Sequence, residues 1–201
     1  MEIVVRRRTS TAKKRKPSAL EKLQPSEAQE VLHNLLETHP ELRKEAEETS
    51  RSLISDVSFD DVAGRVELAL DHHDLDELNS RSANMRWGYV DPTDAAHEIL
   101  HKAIDPIIAE MDRQLELGLG RQALETCKGL ILGLYDVRDK RDDGCLGWAP
   151  DFAWITAEEV LEKWSKGIRG KGKKGSRIRL RSFLDELAPE WSSTFERVLS
   201  K

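Results

Sequence analysis

The 201-residue sequence predicts an all-α fold. Apolar residues recur every three to four positions, helix-start signals follow one another along the chain, and strand patterns are nearly missing, with only Ile3 to Val5 alternating weakly. The starts near 26, 58, 92, 121 and 156 are roughly 30 to 35 residues apart, the length at which helical hairpins stack. The expected architecture is therefore a degenerate helical-hairpin repeat, solenoid-like, or else an irregular orthogonal helix bundle.

Each element has a local reason. Ser26 and Gln29 have capping-box spacing, Leu32, Leu35 and Leu36 follow on one face, and Pro40 ends the run. Glu41 to Ile54 reads as a second helix. Ser58 with Asp61 starts a third, carrying Val62, Val66, Leu68 and Leu70 towards His72 and His73, and a short helix is expected around Leu75 to Leu78. Residues 79–89, with Met85, Trp87 and Tyr89, lose periodicity and read as a loop. Asp91 before Pro92 is an N-cap followed by a residue suited to the first helical position. The long helix that follows runs to about Gly118, and Pro106 is expected to kink or divide it. Leu124 to Tyr135 is the most apolar helix and the expected core, with Gly129 and Gly133 four apart where a neighbour can come close. Residues 136–151 read as loop, and Thr156 and Glu159 as a capping box opening a helix through Trp164 that ends near Gly167. A helix around Ser182 to Leu187 follows and, past Pro189, a last one through Phe195 to Leu199.

Charge divides the chain. Residues 6–16 hold seven basic side chains and 166–181 hold eight, with no acidic one in either, so a total of −5 leaves the remainder strongly acidic. Such like-charge blocks repel their own compaction and are expected to stay solvated unless an anion neutralises them. The expected organisation is a basic arm at 1–24, a helical domain at 25–165, a basic Gly/Lys/Arg segment at 166–181 and C-terminal helices at 182–201. The arm reads as a solubilising tail, a nucleic-acid contact, or a localisation or acidic-partner signal. No run has the roughly 18 to 20 apolar residues of a membrane span, and the start lacks a signal-peptide core, so the expected place is inside a cell, cytoplasmic or nuclear, with no membrane partner. Cys127 and Cys145 are too few for a disulfide framework. Cys127 lies on the apolar helix as a core residue, and Cys145 is expected to be the more exposed thiol.

Three segments, residues 35–42 (LLETHPEL), residues 88–92 (GYVDP) and residues 148–150 (WAP), resemble phrases in helical regions that accompany SWIM-type zinc fingers in microbial proteins. The likeness spans about residues 25–165. Because the finger's Cys/His ligand set is missing, it implies no zinc site. The helix pairs are also generically similar to tetratricopeptide or HEAT arrays, and that similarity implies a binding scaffold without identifying a ligand.

Two non-catalytic functions follow. The favoured one is a helical interaction scaffold binding a protein partner, its basic flanks contacting a polyanion, with no cofactor and no catalytic residue. The alternative is sequence-nonspecific nucleic-acid binding by Arg6, Arg7, Arg8, Lys13, Lys14, Arg15 and Lys16, with Lys171, Lys173, Lys174, Arg177, Arg179 and Arg181. An enzymatic reading rests on residues 97–101, which spell H-E-x-x-H. On a helix His97 and His101 lie one turn apart on one face, suited to zinc, with Glu98 as general base and Glu116 or Glu125 as third ligand. Lys102, Pro106 and the lack of a strand to hold a peptide argue against it. His72 and His73, among Asp71, Asp74 and Asp76, read as a solvated helix end. The five tryptophans read as fillers between helices.

Overall fold

The computed structural model describes residues 19–71, 91–140, 144–168 and 173–200. The expectations for residues 72–90, with the His72–His73 pair and the Trp87 loop, lie outside the described residues, as does the arm at 1–18. Among the described residues the fold is all-α, without strands. Two compact units divide the chain, Met1–Ser50 and Arg51–Lys201. The larger one includes both C-terminal helices.

In the first unit, α1 spans Pro25–Thr38. It starts earlier than the serine predicted, because Gln24 is the N-cap: its amide donates to Glu27 Oε2 at 2.9 Å, and Pro25 takes the first helical position. A single 3-10 turn, Pro40–Leu42, follows, and α2 begins at Arg43 and ends at Ser55, its last turn falling in the second unit. No residue of α1 is buried.

The second unit contains α3 (Phe59–Asp71), α4 (Pro92–Glu116), α5 (Gly120–Val137), the one-turn α6 (Cys145–Trp148), α7 (Phe152–Gly167), α8 (Lys173–Leu187) and α9 (Pro189–Leu199). Asp91 caps α4 as expected, its Oδ1 accepting from the Thr93 amide at 2.8 Å. Pro106 does not divide α4, which continues for 25 residues through it. The helix ends where Gly118 adopts φ 72°, the left-handed conformation that an L side chain resists, and Leu119 donates back to the Gln114 carbonyl at 2.8 Å.

Helix α5 is the centre of the unit, in contact with α3, α4, α7 and α8. Its buried residues, from Ala123 and Leu124 through Thr126, Cys127, Leu130 and Ile131 to Leu134 and Val137, take up about two thirds of its circumference at 100° per residue, while Arg121, Glu125, Lys128, Leu132 and Asp136 line the remaining side. Gly129 and Gly133 let α3 sit directly on α5: a Cβ at Gly129 would lie 2.5 Å from both the Phe59 carbonyl oxygen and Val62 Cβ, and one at Gly133 would lie 2.7 Å from Val66 Cβ and 2.8 Å from the Ala63 oxygen. Gln114 and Thr126, both wholly buried, join α4 to α5 through a 2.7 Å bond from the threonine hydroxyl to the amide oxygen.

Helices α4 and α7 run in the same direction, as the pairs His97–Asp151 and Asp112–Lys163 show. Trp164, wholly buried, anchors the far end of α7. An aromatic cluster closes the unit: Trp154 stacks on Phe195 at 4.9 Å, and Trp191 meets Tyr135 and Trp154 edge-on. Trp148 is exposed, so not every described tryptophan is a filler.

Three sequence expectations need correction. Residues 136–151 are not all loop: α5 continues to Val137, and Cys145–Trp148 form a helical turn packed on α4, so Cys145 is buried and only 1% exposed. Helix α7 begins at Phe152, four residues before Thr156, which is buried inside it and caps nothing. The basic segment is not wholly a solvated loop either. Lys166 and Gly167 close α7, Ile168 is buried, and from Lys173 the chain is helical, because Leu180, Phe183 and Leu184 give α8 a buried face that outweighs the repulsion among its cations.

Candidate functional site

Two groups of residues singled out by the sequence are described: the H-E-x-x-H stretch on α4 and the cations of α8. The helical turn does place the imidazoles of His97 and His101 on one face, with ring centroids 6.4 Å apart. Both rest against Phe152, the wholly buried first residue of α7, edge to face at 5.7 and 5.0 Å. His97 Nε2 lies 3.1 Å from Asp151 Oδ1. Asp151 is the N-cap residue of α7, yet its side chain makes no capping bond. The carboxylate goes to the imidazole of α4 instead, so this contact ties the start of α7 to α4.

Sequence reasoning did not point to Asp151. An available signal was its position after Pro150 and directly before an apolar helical run, an N-cap signature. The expected third ligands are elsewhere. Glu116 stands fifteen positions beyond His101 on the same unbroken helix, about 22 Å along the axis at 1.5 Å per residue. Glu125 accepts from Lys128 Nζ at 3.0 Å. Glu98 is exposed. Among the described residues no three His, Cys, Asp or Glu side chains are grouped to hold a metal ion. His101 also lines an open groove of about 320 Å³ between α4 and α7, shared with Asp105, Ile108, Glu159 and Lys163.

The cysteines offer no accessible nucleophile. Cys127 is wholly buried in α5, and burial pushes its thiol far above the ordinary range because the thiolate would lose its hydration, an effect that nearby Lys128 only partly offsets.

Of the basic residues expected to contact nucleic acid, the seven of the arm and Lys171 lie outside the described residues. The remaining five share α8 but not one role. Arg177 is partly buried and its Nη2 donates to Ser165 Oγ at 2.8 Å, tying α8 to α7. Arg181 pairs with Glu196 of α9. Lys174 and Arg179 are exposed and Lys173 is partly so, and among the described residues none of the three pairs with a carboxylate. The first turn of α8 contains no acidic residue, so Lys173 and Lys174 stand at the positive pole of the helix without a carboxylate in that turn.

The third feature is α1. At 100° per residue, Ala28, Val31, Leu32, Leu35 and Leu36 fall within an arc of about 140°, while Glu30, His33 and Glu37 occupy the opposite side. This apolar stripe is open: Val31 is 43%, Leu32 48% and Leu35 44% exposed. No helix among the described residues is long and apolar enough to cross a membrane. No family model, no curated protein and no solved structure matches the chain, so its function has to be read from these residues.

Proposed function

We propose that the chain is a non-catalytic helical interaction protein, in which the bundle of residues 51–200 is a rigid carrier and α1 engages a protein partner. The observation that supports this most directly is the exposed stripe of Val31, Leu32 and Leu35 on a helix without one buried residue. A fourteen-residue helix is marginal by itself in water, and an unburied aliphatic face on it is what a helix-in-groove contact uses. Helix α1 carries Glu27, Glu30 and Glu37 and no lysine or arginine, so the partner that suits it has an apolar groove with a cationic rim. The cationic segments of the chain contact a polyanion or the partner's acidic surface. The test is a photo-crosslinking side chain at position 32 of the full chain in its native cells. The reading expects one discrete adduct with another protein, lost when Leu35→Glu is added. Adducts within the chain alone, or adducts indifferent to Leu35→Glu, count against it.

A second reading is supported by Lys173, Lys174 and Arg179, which have no carboxylate partner among the described residues: sequence-nonspecific nucleic-acid binding as the main task. It expects an affinity that falls steeply with salt, by a slope of about 0.9 per phosphate contact, and that weakens when residues 1–16 are deleted and the cations of 171–181 are neutralised. An affinity unaffected by both changes removes this reading. Zinc chemistry at His97 and His101 has the least support, since among the described residues no three His, Cys, Asp or Glu side chains are grouped to hold a metal ion.

A further inference from the structure

We infer that the notch between the last turn of α7 and the first turns of α8 is a binding site for a single phosphate group. This deepens the polyanion half of the reading above and does not depend on α1. The notch has a volume of about 200 Å³ and is lined by Lys166, Lys173 and Arg177, with Glu162, Ser165 and Val198 completing its walls. Three cations face one carboxylate. That carboxylate, Glu162, lies 2.7 Å from Lys166 Nζ, and three cations against one carboxylate leave the lining net positive.

Arg177 is the centre of the argument. Its Nη2 donates to the buried hydroxyl of Ser165, which restrains the guanidinium, while its Nε–H is buried and has no hydrogen-bond acceptor among the described residues. A buried charged donor left without an acceptor is costly, and a tetrahedral oxyanion is the ligand whose geometry a planar guanidinium satisfies best. Lys173 adds a mobile point charge at the rim, and the start of α8 brings the positive end of a fifteen-residue helix with no acidic residue in its first turn. An occupying anion would relieve the repulsion that remains among these cations.

Inorganic phosphate is the probe, added to the full chain against chloride at equal ionic strength and followed by calorimetry and through the amide-region resonance of the Arg177 Nε–H. The expected result is a saturable shift of that resonance with phosphate and none with chloride. Lys173→Gln should weaken binding roughly tenfold, whereas Lys174→Gln, outside the notch, should leave it unchanged. Arg177→Gln removes the response, and because this change also deletes the Ser165 bond, Lys173→Gln decides the matter if that variant fails to fold. A short single-stranded oligonucleotide with and without a 5′-phosphate then identifies the source. A shift only with the 5′-phosphate marks a terminal monoester, an equal shift marks the backbone diester, and no shift from either marks a free small phosphate. Phosphate acting no differently from chloride, or Lys174→Gln costing as much as Lys173→Gln, overturns the proposal. Should the notch fail while salt-dependent polyanion binding persists, the broader reading survives without it.

Discussion

Substituting Gly133 with alanine tests how the bundle is closed. The added methyl would stand 2.7 Å from Val66 Cβ and 2.8 Å from the Ala63 carbonyl oxygen, and neither obstacle is the free end of a flexible side chain. Helices α3 and α5 must therefore move apart. Alanine favours an isolated helix over glycine by about 1 kcal/mol, while overpacking costs about 3 kcal/mol where backbone has to shift, so a net loss of about 2 kcal/mol is expected. For the unit of residues 51–201 this corresponds to a fall in Tm of about 4 to 8 °C. Thermal melts followed by circular dichroism measure it. Gly64→Ala is the control, since a Cβ there meets nothing within 4 Å, and it should stabilise by up to about 1 kcal/mol. If Gly133→Ala behaves like Gly64→Ala, α3 does not sit on α5 as described.

Three further outcomes are expected. Asp91→Ala removes the bond to the Thr93 amide and should cost about 1 kcal/mol, read as a lower denaturant midpoint with unchanged slope, whereas Asp91→Asn should restore most of it. With both thiols buried and the Cys127 pKa raised, the thiolate form gains on unfolding. Thiol reagents should therefore leave the native chain untouched up to about pH 9 and label both cysteines once urea unfolds it; rapid native labelling would refute the burial. His97→Ala should loosen the start of α7 without altering metal content, and stoichiometric zinc in the purified chain that disappears with His97→Ala would move the protein to the hydrolase reading.

Most helices were legible because amphipathic periodicity and capping chemistry are local. Asp91 and the pair Gly129–Gly133 act within a few residues or leave a space that only a close neighbour explains, and the structure uses both. What was misjudged depends on tertiary contact. Cys145 looked exposed because its flanks are charged and glycine-rich, yet one apolar turn sufficed to bury it against α4. The basic segment looked solvated because charge dominates its composition, while Leu180, Phe183 and Leu184, at helical spacing, decide its conformation. The contact between His97 and Asp151 joins residues 54 positions apart, which no local pattern announces. The openness of α1 was equally unreadable, since an amphipathic stripe is the same in sequence whether or not something covers it.

Amide hydrogen exchange on the isolated full chain tests the central claim, that α1 presents an uncovered apolar face. The account predicts that amides of residues 28–38 exchange close to the rates of an unprotected helix while those of residues 123–137 exchange only through global unfolding. Protection of α1 equal to that of α5 would mean its face is already covered within the chain, contradicting the interaction reading.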